Sequence, residues 1–158
     1  MAGEEFQGDT WALTGARTKN RKPHTVPLPP PARAIIDEYR RPGFLFTTNG
    51  GRSAVSGFSR AKERLDSLME EVLGRPIAPW RIHDLRRTVA TGMAEMGIAP
   101  HIVEAVLNHI SGARAGVAGI YNRAAYVPER RVALEWWAAR IERIVTGKAA
   151  KVIALRGA

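Results

Sequence analysis

Apolar residues recur at helical spacing along most of this chain, and at strand-like spacing only near its front. Trp11 and Leu13 on one side and Val26-Pro27-Leu28 on the other flank the polar run Thr18-Lys19-Asn20-Arg21-Lys22. Two short apolar runs around turn-forming residues predict a β-hairpin over residues 10–27. Pro29-Pro30-Pro31 then ends the sheet and opens a helix through Ala34, Ile35, Ile36 and Tyr39, because proline is tolerated in a first turn. Phe44-Leu45-Phe46 reads as a short buried strand or extended segment, and Thr47 to Gly51 as loop. From Ser56 to Leu73 the period is helical again, carried by Phe58, Leu65, Leu68, Met69 and Val72 and stopped at Gly74.

After a connector marked by Pro76 and Pro79, the residues Ile82, Leu85, Val89, Met93 and Met96 are spaced 3, 4, 4 and 3 apart. That spacing predicts a helix over 82–96 with one apolar stripe facing the core. Gly97 ends it, and Pro100 begins a shorter helix through Ile102, Val103, Val106 and Leu107. A glycine-rich stretch, Ser111 to Gly119, leads to Ile120-Tyr121, and a last long helix runs from Pro128 to Val145 with Gly147 as its stop. The expected fold is mainly α with a small antiparallel β-sheet, an α+β domain over residues 1–147 followed by a basic tail, 148–158. There is no internal repeat.

Composition narrows the partners more than the fold. An apolar share of 45% over 158 residues is enough to build one core. Against 15 acidic residues stand 24 Lys and Arg, a net charge of +9, which makes polyanions the first candidate partners. The chain has no cysteine, so disulfides and thiolate metal sites are excluded. No apolar run approaches the roughly 20 residues of a membrane-spanning helix. Met1-Ala2-Gly3-Glu4-Glu5 lacks the basic start and apolar stretch of a signal peptide, so the expected location is the cytoplasm.

The candidate chemistry lies in the last two thirds of the chain. His83 and Arg86, at i and i+3, project from one helix face, one position round from the apolar stripe and in line with Ala90 and Ala94. Polar groups over small residues suit the floor of a shallow cleft. Leu107-Asn108-His109 closes the next helix, and Tyr121 follows twelve residues later within Gly-Ile-Tyr-Asn-Arg. Taken singly, each has an ordinary structural explanation: a surface His and Arg, a histidine capping a helix C-terminus, and a core aromatic.

Taken in order, they have another. His83-Asp84-Leu85-Arg86-Arg87, Leu107-Asn108-His109 and then Tyr121 resemble the tyrosine recombinases, the phage integrase family of site-specific DNA recombinases. Arg17-Thr18-Lys19-Asn20 followed by Pro23-His24-Thr25-Val26-Pro27-Leu28 is similar to the hairpin on which that family carries an active-site lysine. The resemblance covers residues 9–139 and implies the family's catalytic-domain fold. It also implies site-specific recombination or integration of double-stranded DNA through a 3′-phosphotyrosyl intermediate.

In that reading Tyr121 is the nucleophile, with Tyr126 as its rival. Arg86 and His109 hold the scissile phosphate, His83 moves the tyrosine proton, and Lys19 protonates the leaving 5′-oxygen, with Arg21 and Lys22 as alternatives. Arg17, Arg21, Lys22 and Arg87 are expected to meet the DNA backbone. Asn108 stands where the family usually has glycine, and asparagine also reaches left-handed backbone angles. Neither metal nor nucleotide cofactor is implied, and His24, His83, His101 and His109 lack partners at ligand spacing. A tetramer on DNA and a bacterial or mobile-element source are implied too. Trp136 and Trp137 are expected either to meet a neighbouring protomer or to divide between core and surface.

The resemblance also implies one more site arginine, with an acidic residue close behind it, on a helix before the hairpin, and an N-terminal DNA-clamping domain. No arginine precedes Trp11. The expectation is therefore a recombinase catalytic domain truncated at its N-terminus, cleaving DNA weakly by itself. The alternatives are a DNA-binding remnant without catalysis, a type IB topoisomerase-like enzyme, and a helical scaffold whose basic surface binds nothing.

Overall fold

The computed structural model describes residues 1–109 and 125–147. Three short strands form one antiparallel sheet in the order β1 (Phe6–Gln7), β2 (Thr10–Leu13), β3 (His24–Pro27). Trp11 pairs with Phe6 on one side and Val26 on the other, and Leu13 pairs with His24. The predicted hairpin is thus β2–β3, while β1 is an addition. It is joined to β2 by a two-residue turn whose Gly8 sits at φ 61°, the left-handed region such tight turns need.

Five helices follow among the described residues: α1 (Pro30–Glu38), α2 (Phe58–Leu73), α3 (Ile82–Glu95), α4 (Pro100–Val106) and α5 (Val127–Thr146). Prolines stand in the first turns of α1, α4 and α5, where a missing N–H costs nothing. The fold is therefore mainly helical with a small antiparallel sheet, as the residue pattern predicts.

There are two packed regions. Leu28, Ile36 and Leu45 form one, with Met1, Phe6, Trp11 and Phe46 laid against them. Phe44-Leu45-Phe46 contributes here without being a strand. Its only sheet-like pairing is a single bridge between Ala2 and Phe44, although Leu45 is buried as expected. The other region lies where α3, α4 and α5 meet, around Met93, Ile102, Val103, Ala105 and Ala133. Gly92 permits it: a Cβ there would run into the ring of Trp137, so α3 and α5 approach to the thickness of an indole. Trp136, its neighbour, faces outward at 49% exposure.

The stripe predicted on α3 is a core face only over its second half. Met93 is fully buried, whereas Ile82 and Leu85 are 50% and 55% exposed. Likewise α2 forms over nearly the predicted span but buries none of its residues. It is fastened from one side, where the Trp80 indole N–H donates to Asp66 Oδ1 at 2.9 Å and Lys62 lies over the Trp80 ring, 4.6 Å from its centre.

Candidate active site

The elements above leave an open cleft of about 930 Å³ between the β2–β3 hairpin, the start of α3 and the end of α4. Lys19, His83, Arg86 and His109 all line it, so residues spread over ninety positions of sequence share one cavity. Arg17 and His24 line it too, and among the described residues no carboxylate does. A second lobe of about 360 Å³ adjoins it, walled by His83, Arg86, His109 and the Glu104 carboxylate and floored by Ala90, Ala94 and Val103. The small residues in line with His83 and Arg86 are therefore the floor the sequence pattern predicts.

Each wall is set by local chemistry. α4 ends in a Schellman turn: the His109 N–H donates to Glu104 O at 2.9 Å and the Asn108 N–H to Ala105 O at 3.3 Å. Asn108 stands at φ 51°, so asparagine does take the left-handed position expected of a glycine there. The turn swings His109 off the helix axis and into the cleft. Arg86 is anchored to the same helix end, its Nη2 donating to Leu107 O at 2.6 Å. That carbonyl carries the negative end of the α4 dipole, a favourable seat for a guanidinium. Among the described residues a single N–H is used, and the fork has four more to offer a ligand.

The hairpin tip is tied down by Asn20, a residue whose role the sequence reading misses. Its Oδ1 accepts the Lys22 N–H at 3.0 Å, an Asx turn, and its Nδ2 donates to Asn108 Oδ1 at 3.0 Å. Thr18 Oγ1 donates to Lys22 O at 2.7 Å. Lys19 thus rides on a turn bonded directly to the helix end that presents His109. The Asx turn is legible in Thr-Lys-Asn, but the partner 88 residues away is not.

The four expected DNA-contacting residues divide. Arg21, held at φ 55°, and Lys22 are exposed at the hairpin tip. Arg17 is exposed but paired with Glu5 at 2.7 Å, and Arg87 pairs with Asp84 at 2.9 Å. Burial pushes the Glu5 carboxyl up, yet the Ala2 amide, the Arg17 guanidinium and the Trp11 indole all bond it and together bring its pKa down to about 2. The Arg81 amide and Arg87 lower the Asp84 pKa as well. Tyr126, the rival nucleophile, is the N-cap of α5 and packs on His101 with ring centres 5.0 Å apart, and it is not among the described residues lining the cleft. Tyr121, Gly112 and Gly116 lie outside the described residues. Among the described residues no three His, Asp or Glu side chains gather as a metal would require, and no helix is long and apolar enough to cross a membrane.

A cleft framed by a lysine hairpin, a His-x-x-Arg helix and a Leu-Asn-His helix end is suited to an anionic ligand. The sequence profile of the phage integrase family matches residues 5–126, and the chain belongs to that family. It is 32% identical over 142 residues to the prophage integrase IntA of Escherichia coli K12, a match covering 85% of this chain and 32% of that protein. To the prophage integrase IntZ of the same strain it is 30% identical over 140 residues, covering 87% of this chain and 33% of that protein. The chain thus spans about a third of the length of these curated relatives. No solved structure matches it.

Proposed function

We propose that this chain is the catalytic portion of a site-specific DNA recombinase that breaks and rejoins strands through a 3′-phosphotyrosyl link. The observation that carries the proposal is the meeting of Lys19, His83, Arg86 and His109, from three separate elements, in a cleft whose main lobe is lined by no carboxylate among the described residues. Double-stranded DNA is the partner that such a cleft fits on a chain of net charge +9.

The chemistry divides among the residues as follows. A phenol with a pKa near 10 is a weak nucleophile at neutral pH, so Tyr121 needs a proton acceptor and an electrophilic phosphorus. His83 takes its proton as the phenolate oxygen attacks. Arg86, already oriented by Leu107, offers paired N–H groups to the non-bridging oxygens, and His109 adds a donor from the Schellman turn. The bond from phosphorus to the 5′-oxygen breaks, and Lys19 supplies the proton that oxygen needs. Rejoining is the reverse, with a 5′-hydroxyl as nucleophile, so the bond energy is conserved and no nucleotide is consumed. Arg21 and Lys22 at the hairpin tip, with Arg17 and Arg87, extend the contact along the backbone. Self-association on DNA, as a tetramer, would use the outward Trp136 side of α5.

The test is a nicked suicide duplex whose 5′-hydroxyl fragment diffuses away, so that cleavage leaves protein covalently on DNA. A denaturing gel should show a slow-forming adduct that vanishes in Tyr121→Phe and survives in Tyr126→Phe. An adduct that persists in Tyr121→Phe would refute the assignment. Salt-sensitive DNA binding with no adduct over long incubation would instead make the chain a binding remnant.

A further inference from the structure

The β2–β3 ladder ends at the pair Leu13–His24, so residues 14–23, Lys19 among them, lie beyond the register of the sheet. A lysine there starts with two kinds of freedom, that of the loop and that of its own four-carbon stem. The tip first closes on itself. The Arg21 N–H donates to Thr18 O at 3.1 Å, which makes Lys19 and Asn20 the central residues of a turn. The Lys22 N–H donates to Asn20 Oδ1 at 3.0 Å, and Thr18 Oγ1 donates to Lys22 O at 2.7 Å. These bonds shape the turn but do not fix where it stands against α4.

The Asn20 amide does that. Its Nδ2 donates to Asn108 Oδ1 at 3.0 Å, with Asn108 O 3.5 Å away. Asn108 precedes His109 in the Schellman turn, and its other neighbour, Leu107, accepts from Arg86. One helix end therefore sets the positions of His109, Arg86 and, through Asn20, the backbone of Lys19. All of these residues line the same cleft. Strand cleavage demands such a common frame. The group that protonates the leaving oxygen must keep its distance from the groups that hold the phosphate, and a displacement of about 1 Å can cost about a hundredfold in rate.

We propose that Asn20 is a positioning residue for the leaving-group proton: its bond to Asn108 ties the turn carrying Lys19 to the helix end that presents His109. The proposal rests on the reading of the cleft as a strand-cleaving site. In that step the Tyr121 oxygen bonds to phosphorus as its proton passes to His83. The bond from phosphorus to the 5′-oxygen breaks, and a proton leaves Lys19 Nζ for that oxygen, so Lys19 ends the step as a neutral amine. Asn20 acts through Lys19, and its effect is confined to this last transfer. That confinement separates the role from one in folding or in binding DNA.

The test compares two nicked suicide duplexes, alike except that in one a sulfur replaces the bridging 5′-oxygen of the scissile phosphate. A thiolate leaves without a proton, because a thiol with a pKa near 8.5 is a far stronger acid than an alcohol. Adduct formation is timed in a single turnover with the full chain and saturating DNA. On the oxygen duplex Lys19→Ala should slow cleavage about a hundredfold and Asn20→Ala about tenfold. On the sulfur duplex both should come within about twofold of the unaltered chain, whereas Arg86→Ala should be slow on both. Asn108→Gly, which keeps the left-handed turn and removes the side-chain acceptor, should show the same oxygen-only loss. Adding it to Asn20→Ala should slow cleavage no further. It decides the matter if Asn20→Ala does not fold. Fluorescence anisotropy with a labelled duplex should give Asn20→Ala the affinity of the unaltered chain. Equal slowing on both duplexes, full speed on the oxygen duplex, or DNA binding weakened about tenfold in Asn20→Ala would each overturn the proposal. If the unaltered chain forms no Tyr121 adduct even with the sulfur duplex, the strand-cleaving reading falls and the positioning role falls with it.

Discussion

Asn108 does two jobs at the end of α4, and they can be separated by substitution. Its backbone holds φ 51° to close the Schellman turn, and its side-chain oxygen receives the Asn20 amide at 3.0 Å. Asn108→Ala should lose both. Placing an alanine in the left-handed region costs roughly 1 kcal/mol, somewhat less when the reference is asparagine. A partly buried neutral hydrogen bond is worth about 1 kcal/mol. The sum is a loss of about 2 kcal/mol. Asn108→Gly keeps the turn and loses only the bond, so its cost should be about 1 kcal/mol, reduced by the relief of backbone strain. Asn20→Ala loses both this bond and the one from the Lys22 N–H and should cost about 2 kcal/mol, and adding Asn108→Gly to it should cost nothing further, a coupling of about 1 kcal/mol between residues 88 apart in sequence. Urea unfolding with matched slopes gives these energies. Hydrogen exchange gives the functional side: amides of residues 18–22 should exchange faster in Asn108→Gly while the α3–α4 core stays protected. Equal stabilities for the Ala and Gly variants would refute the backbone half of this reasoning. Unchanged protection at the hairpin tip would refute the other half.

Three further outcomes are expected. Gly92→Ala should gain about 1 kcal/mol of helix propensity but lose about 1–3 kcal/mol by driving a methyl into the Trp137 ring. It should therefore melt lower, and Trp137→Leu in the same chain should turn the Ala substitution neutral or stabilising. Glu5 should make stability pH-dependent on the acid side: its folded pKa of about 2 lies below the ordinary 4.5, so its contribution is complete above about pH 4.5 and fades as pH falls toward 2. Glu5→Gln should flatten that part of a urea-midpoint profile measured between pH 2 and pH 5. Arg17→Ala should weaken DNA binding about tenfold, more than Lys22→Ala, because it removes a cation and unmasks the Glu5 carboxylate beside the cleft. Arg17→Ala with Glu5→Gln should recover part of that loss in the same anisotropy assay.

Periodicity made the helices and the β2–β3 hairpin legible, because both are written locally. The α3 stripe misled at Ile82 and Leu85, which are half exposed: spacing tells which residues share a face, not what lies against that face. Strand β1 has two residues, too few to show a period, and it exists because Trp11 offers Phe6 a partner. At the site, His83 and Arg86 could be placed on one face from their spacing, and the small residues beneath them foretold the cleft floor. The long-range ties could not be read. Asn20 meets Asn108 and Arg130 meets His24 across 88 and 106 residues. An arginine in the first turn of a charged helix looks solvated until the fold closes over it.

The lining of the cleft governs how this protein behaves before it ever meets its target. Three cationic side chains and three imidazoles, with no acid among the described residues of the main lobe, should attract any polyanion. Recovered from a cell extract, the chain is expected to carry nucleic acid fragments until high salt strips them. It will bind heparin, and phosphate buffers will compete with DNA for the same groups. Affinities measured without controlling those anions report the competitor as much as the protein.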